Sequence, residues 1–241
     1  MAEAKYARVL LKISGEGLCV PGKGGIDGES LKRLAEEIKL VVDLGVQLGV
    51  VVGGGNIVRG SVIAKSAPIE ETTGHYMGML ATIINALAVQ DTLESLGVAT
   101  RVQSALPVQN VCENFIRRRA IRHMEKGRVV IFAGGTGNPY VTTDTGAALR
   151  AAEVRAAALL KATKVDGVYT SDPVLDPNAK RLDHLTYNEV IDQRLGIMDL
   201  SAVDLCQRSG IPIIVLSLKD SGNMRDVVLG MGRATRIDAG K

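Results

Sequence analysis

Apolar residues gather into six short runs along the chain: ARVLLKI (7–13), VQLGVVV (46–52), VATRVQSA (98–105), RVVIFAG (128–134), AALLKATK (157–164) and PIIVLSL (212–218). Rich in Val, Ile and Leu and closed by turn residues or charge, they read as strands, most of them too continuously apolar to leave one face in water. The segments between them follow a different period. Over 30–44, Leu31, Leu34, Ala35, Ile38, Val41 and Val42 keep the 3, 4, 7 spacing of a helix, and Lys32, Arg33, Glu36, Glu37 and Lys39 are expected to face water. YMGMLATIINALAVQDTLESLG (76–97) also reads as a helix, but one apolar on nearly all sides, which places it inside the fold or at a subunit interface. Strands alternating with helices predict an α/β fold with a mainly parallel sheet and ligands at the carboxyl ends of its strands. No repeat, low-complexity tract or linker interrupts the pattern, so residues 1–241 are expected to form one domain.

Composition agrees with such a sheet. Hydrophobic residues make up 46% of the chain but aromatics only 3%, so the core has to be built from aliphatic side chains, as in a parallel sheet covered by helices. The net charge of +3 is spread along the chain, which gives no footprint for nucleic acid. The densest basic stretch, Arg117, Arg118, Arg119, Arg122 and His123, shares a predicted helix with Glu113 and Glu125 and reads as a solvated face. Cys19, Cys112 and Cys206 are odd in number and far apart, which predicts free thiols in a reducing cytosol. The first residues lack the apolar core of a signal peptide, and no apolar run is long enough for a membrane span, so a cytoplasmic location is expected.

Candidate chemistry lies where strands end. The first exit, LLKISGEG, sets Lys12 beside Ser14 and Gly15; the second, VVGGGNIVRG, brings Gly53, Gly54 and Gly55 close to Arg59. Glycines let main-chain N–H groups approach an anion, and a nearby cation complements it. The fourth exit, GGTGNPYVTTDTGAA, carries Thr136, Gly137, Asn138, Thr142, Thr143 and Asp144 into an alanine-rich helix, and the fifth, KATKVDGVYTSDP, offers Lys161, Thr163, Lys164, Tyr169 and Asp172. Each has a plain structural reading as well: a strand-to-helix turn for the glycines, a strand-end lysine whose head reaches water, a helix cap for the Thr-Thr-Asp group. Neither a Walker loop nor an intact G-x-G-x-x-G follows a strand. Several glycine-rich exits with cations and hydroxyls suit instead a site that holds a string of phosphates between two substrates.

LLKISGE, VVGGGNIVRG, YMGMLATIINALA, GGTGNPYVTTD, LKATKVDGVYTSDP and IMDL, in that order over essentially the whole chain, resemble the bacterial uridylate (UMP) kinases of the amino-acid kinase superfamily. The resemblance implies a three-layer α/β/α sandwich and transfer of the γ-phosphoryl group from ATP to UMP, with Mg²⁺ held by the nucleotide phosphates rather than by protein ligands. It implies a cytoplasmic homohexamer serving pyrimidine nucleotide synthesis, activated by GTP and inhibited by UTP. By position, ATP phosphates would meet Lys12, Ser14, Gly15, Gly55 and Arg59, and the adenosine side Thr163, Tyr169 and Asp172. UMP would meet Gly54 and Thr143 through its phosphate and the 136–142 loop, chiefly Thr136 and Asn138, through its base, with Gly137 and Thr142 of that loop also counted among its contacts. UMP-binding loops would lie mainly in 1–150 and ATP-binding loops in 155–241. Asp199 matches a carboxylate that orients the catalytic lysine, Asp144 a second functional carboxylate. Arg101 and Arg128 match effector-site arginines, and Gly22, Lys23 and Gly24 a segment linked to that response. One position departs: His75 stands where the family usually has an aspartate that binds the UMP ribose. Neutral imidazole has one donor and one acceptor and cannot accept from both ribose hydroxyls as a carboxylate can.

Two other readings stay open at this stage. One is a superfamily kinase acting on a carboxylate, carbamate or isopentenyl phosphate; the other is a non-catalytic ATP-binding storage or sensor protein on the same scaffold.

Overall fold

The computed structural model describes residues 4–59, 62, 67–171, 173, 175, 176 and 178–240. Its strands are β1 (Arg8–Ile13), β2 (Gln47–Val52), β3 (Thr100–Ser104), β4 (Glu113–Asn114), β5 (Val129–Ala133), β6 (Ala158–Thr163), β7 (Val168–Tyr169), β8 (Arg181–Leu182), β9 (His184–Thr186), β10 (Ile213–Ser217) and β11 (Thr235–Asp238). The helices among the described residues are α1 (Gly28–Val42), α2 (Glu71–Ser95), α3 (Arg117–Glu125), α4 (Thr143–Glu153), α5 (Tyr187–Asp192), α6 (Leu200–Ser209) and α7 (Asn223–Val228). Nine strands form one sheet in the order β4-β3-β5-β2-β1-β6-β10-β11-β9. Pairing is parallel throughout except between β10 and β11, so only β11 and β9 run against the rest. β7 and β8 form a separate antiparallel hairpin.

Period-2 alternation along β1 sorts the layers. Val9, Leu11 and Ile13 face a core completed by Leu34 and Ile38 of α1, Ile83 and Val89 of α2, and Met224 and Val228 of α7. Leu10 faces the opposite core, against Met124 of α3, Ala148 of α4, Tyr187 of α5 and Val203 of α6. Helices cover both faces, giving the three layers expected. Alanines in α4 let it lie close to the sheet, which brings its first turn to the strand ends where the chemistry sits.

All six expected strands are present, with ends trimmed by one or two residues. The elements not anticipated are short: β4, the hairpin, β9, α5, α6, α7, and the antiparallel β11, whose sequence TRID has no apolar run to announce it. α2 begins at Glu71, five residues before the predicted start. Its Met79, Ile83, Ala86, Val89 and Leu93 are buried, whereas Tyr76, Leu80 and Ile84 are 42%, 47% and 50% exposed, so the helix is buried on one side only. The expectation that Glu37 faces water is wrong: it is buried, and its Oε1 accepts a 2.6 Å hydrogen bond from the Gly222 N–H, tying α1 to the turn before α7. The basic helix α3 presents Arg118, Arg119 and Arg122 to solvent, but Arg117 and His123 are half-buried and Glu113, expected in the same helix, lies in β4.

Candidate active site

β1 and β6 are parallel neighbours in a register that pairs Lys12 with Lys161, so two lysines stand side by side on one face of the sheet. Both are buried. Two ammonium groups so placed would repel, and a carboxylate from the first turn of α4 lies between them: Asp144 Oδ2 is 2.5 Å from Lys161 Nζ, and its Oδ1 is 2.6 Å from Lys12 Nζ. Burial, and then the charge of Lys12, push the Lys161 pKa down; Asp144 works against both. The trio carries a net positive charge at a strand end, which suits a phosphoryl group.

A second carboxylate sets the position of the first. Asp199 caps α6 through the Ala202 N–H at 2.9 Å, and also accepts hydrogen bonds from the hydroxyls of Thr142 and of Thr145, the latter at 2.7 Å. Burial would raise its pKa, but these donors and the charge of Lys161 outweigh it and hold the carboxyl below its ordinary value. Thr142 is the N-cap of α4, so Asp199 ties α6 to the turn that carries Asp144. The carboxylate against Lys12 is therefore Asp144, and Asp199, expected to orient that lysine, instead holds Thr142 and Thr145.

The glycines are required by close approach. A Cβ on Gly15 would lie 2.3 Å from Asn56 Oδ1 and 2.8 Å from the Gly53 carbonyl; one on Gly54 would lie 2.6 Å from the Gly78 carbonyl of α2. First exit, second exit and α2 thus interlock around a cleft of about 450 Å³, lined by Ser14, Gly15, Gly53, Gly54, Gly55, Arg59, His75, Thr142 and Thr143 among others. Gly134, at φ +71°, donates its N–H to Thr82 Oγ1 of α2 at 2.8 Å and brings Gly135 to the same wall. At the cleft mouth Glu16 pairs with Arg59 and, at 2.8 Å, with Lys164, so one side chain joins the first, second and fifth exits.

Lys164 also lines a second cavity of about 320 Å³, with Asp166, Tyr169, Ser217, Lys219 and Asp220. The Tyr169 hydroxyl donates to Asp166 Oδ1 at 2.6 Å, which raises the tyrosine pKa. His75 faces the first cleft: its ring lies 4.7 Å from that of Tyr140, and its buried Nε2 has no hydrogen-bond partner, the Glu71 carboxylate being 3.8 Å away.

The amino acid kinase family model matches residues 7–217. A uridylate kinase of Paramagnetospirillum magneticum is 56% identical over 98% of both chains, and one of Zymomonas mobilis 55% identical over 97% of this chain and 96% of its own. Among solved structures, UMP kinase from Bacillus anthracis superposes with a TM-score of 0.93 at 38% identity, covering 98% of this chain and 97% of that one. The Ureaplasma parvum UMP kinase gives 0.90 at 36%, covering 97% and 99%. The chain belongs to the uridylate kinases of the amino acid kinase family.

Within this uridylate kinase framework the structure brings together Lys12, Ser14, Gly15, Gly54, Gly55, Arg59, His75, Thr142, Thr143, Asp144 and Asp199. Thr136, Gly137 and Asn138 lie in the turn after Gly135, outside the cleft lining, where Thr136 Oγ1 accepts from the Asn138 N–H at 3.3 Å. Tyr169 lines the second cavity, Thr163 braces the turn at Val165, and Asp172 falls outside the described residues. Arg101 pairs with Glu94 at 3.3 Å, and Arg128 donates to His123 Nδ1 at 3.0 Å. Gly22, Lys23 and Gly24 are exposed on a loop. Sequence reading named Lys161 and quoted Glu16 without giving either a task. The sign for Lys161 was there, in the Leu-Leu-Lys triplet that two predicted strands share; the Glu16 bridge needs three loops folded together.

Proposed function

We propose that this protein transfers the γ-phosphoryl group of ATP to UMP, giving ADP and UDP, in pyrimidine nucleotide synthesis. The observation that carries the reading is the Lys12–Asp144–Lys161 trio, whose Asp144 follows directly on Thr142 and Thr143 in the wall of a glycine-walled cleft, with a second cavity joined to that cleft through Lys164 and Glu16. Adenosine occupies the second cavity beside Tyr169, while Thr163, next to Lys164 in the chain, and Asp172 are assigned to it by the family resemblance alone. The triphosphate runs past Ser14, Gly15, Gly55, Arg59 and Lys12, and UMP fills the first cleft with its phosphate at Gly54 and Thr143, its base toward the 136–142 loop and its ribose at His75. A nucleoside monophosphate has a second pKa near 6 and is already largely a dianion at neutral pH, so no general base is needed. Lys12 and Arg59 offset charge on the transferring group, while Asp144 fixes the Lys12 ammonium and the glycine N–H groups fix the phosphates in line.

Both candidate carboxylates are already engaged, Asp144 by two lysines and Asp199 by three donors. That fits a Mg²⁺ that arrives on ATP phosphate oxygens and supplies further charge neutralisation there. The names of the relatives favour this kinase over a storage or sensor protein. Measuring ADP formation from Mg-ATP with UMP, CMP, dUMP or no acceptor tests the reading: the rate should depend on UMP, and a rate independent of UMP would contradict it.

The finer features belong to the same proposal. Residues 1–241 act as one domain, supported by the nine-stranded sheet, whose first strand begins at Arg8 and whose last ends at Asp238. The exposed apolar side of α2 supports a homo-oligomer, of six chains by the family resemblance, and light scattering checks that mass. Arg101 and Arg128, with the Gly22–Lys23–Gly24 loop, would answer to GTP as activator and UTP as inhibitor. Unpaired cysteines support a cytoplasmic setting, and no helix among the described residues is long and apolar enough to cross a membrane.

A further inference from the structure

Asn85 is a carboxamide with no exposed surface, in the middle of the apolar helix α2. A buried amide is costly unless its hydrogen-bonding groups are met. Here the cost is offset through a partner from the second exit. Asn85 Nδ2 donates to Asn56 Oδ1 at 2.7 Å and to the Gly53 carbonyl at 2.7 Å. Asn56 Nδ2 donates back to Asn85 Oδ1 at 3.1 Å and onward to the Gly25 carbonyl at 2.7 Å. All four amide hydrogens are used, and reversing either amide would set like groups against each other, so the network fixes both orientations.

The pair joins three pieces of chain. Its bond to Gly53 draws that carbonyl toward α2; in a trans peptide the next N–H, that of Gly54, then points the other way, and Gly54 lines the cleft. Asn56 Oδ1 fills the space that a Cβ on Gly15 would occupy. The Asn56 backbone carbonyl accepts from the Gly25 N–H at 2.9 Å, so Gly25, at φ +85°, is held through both of its main-chain groups by one residue.

We infer that Asn56 and Asn85 are a positioning pair for phosphoryl transfer, which sets the direction of the Gly53–Gly54 peptide and mechanically couples the 20–25 segment to it. The catalytic part rests on the reading of the cleft as a phosphate site; the mechanical part does not. Asn85 makes no hydrogen bond to residues 20–25, so any influence on them passes through Asn56.

Asn85→Asp tests both parts, because a carboxylate of the same shape cannot donate to Gly53 or to Asn56. With UMP and Mg-ATP, kcat should fall by about 10- to 100-fold, the scale of a small misplacement at a reacting centre, while both KM values change less than about threefold. Hydrogen exchange, measured without substrate, should speed up in both 53–56 and 20–25. Asn56→Ala keeps the Asn85 bond to Gly53, so it should free 20–25 with the smaller loss in kcat; it also serves if Asn85→Asp does not fold. Unchanged exchange at 20–25 in either folded variant would overturn the coupling, and unchanged kcat in Asn85→Asp would overturn the positioning role. A wild type without UMP-dependent turnover would count against the proposed reaction instead, and the exchange comparison would still decide the coupling.

Discussion

Asp144 holds two buried ammonium groups 2.6 and 2.5 Å from its oxygens, and its removal is the most severe single change this site offers. Asp144→Asn would leave Lys12 and Lys161 facing each other with only the Asp199 charge beside Lys161 to offset them, a loss of about 3–5 kcal/mol of stability, to be read from urea unfolding. Lys161→Met in the same background should restore part of it, since it removes the repulsion; no restoration would show that the lysine pair is not the source. His75 offers a test of a different kind. His75 lines the cleft and its imidazole is expected to bond one ribose hydroxyl, so His75→Asp, which can accept from both, should tighten UMP by about 5- to 30-fold without moving the KM for ATP. Equal UMP affinity in the two would place the ribose elsewhere. At this scale the sequence was partly readable. Motif and strand-end position pointed to Lys12, Arg59, Asp144 and the glycines, whereas the division of labour between Asp144 and Asp199 depends on which helix N-terminus reaches which strand, and no spacing encodes that.

The elements divide by length. Long aliphatic runs and the periodic α1 were legible because burial itself imposes their pattern; β9, β11 and α5 to α7 were not, because three to ten residues carry too few apolar positions to define a period. β11 and β9, the antiparallel edge, are clasped by charge: Asp238 Oδ1 is 2.8 Å from His184 Nε2, and its Oδ2 accepts from Arg236 Nε at 2.5 Å. Burial works to raise the Asp238 pKa, but His184, the Gly240 N–H and Arg236 bring it from 3.8 down to about 2. A carboxyl with a depressed folded pKa contributes stability that is full above its unfolded value and is lost as pH falls through the folded one. The clasp should therefore weaken between pH about 4 and about 2, and Asp238→Asn should flatten the acid limb of the unfolding profile in that window. An identical limb in the variant would remove the clasp from the acid response. α2 behaves differently again, since its exposed Tyr76, Leu80 and Ile84 lie four residues apart on one stripe. Leu80→Lys should lower the assembly mass in light scattering while leaving the circular dichroism spectrum unchanged, and an unaltered mass would move the interface elsewhere.

Across the whole molecule, the sheet order is what makes the site. β1 lies between β2 and β6, so the exits carrying Lys12, the triple glycine and Lys161 open side by side, and helices on the two faces add α2 from one layer and the α4 N-terminus from the other. Sequence pattern supplied the class of fold and the exits, but their adjacency follows from strand order, which hydrophobic pattern leaves open. The proposed phosphoryl transfer depends on the Lys12 ammonium. UMP-dependent ADP formation by wild type and Lys12→Ala, measured together with UMP binding, tests it most directly. The expected result is UMP-dependent turnover in wild type and a loss of about 10²- to 10³-fold in Lys12→Ala, with UMP affinity changed less than about threefold. Turnover that ignores UMP, or that survives intact in Lys12→Ala, would contradict it.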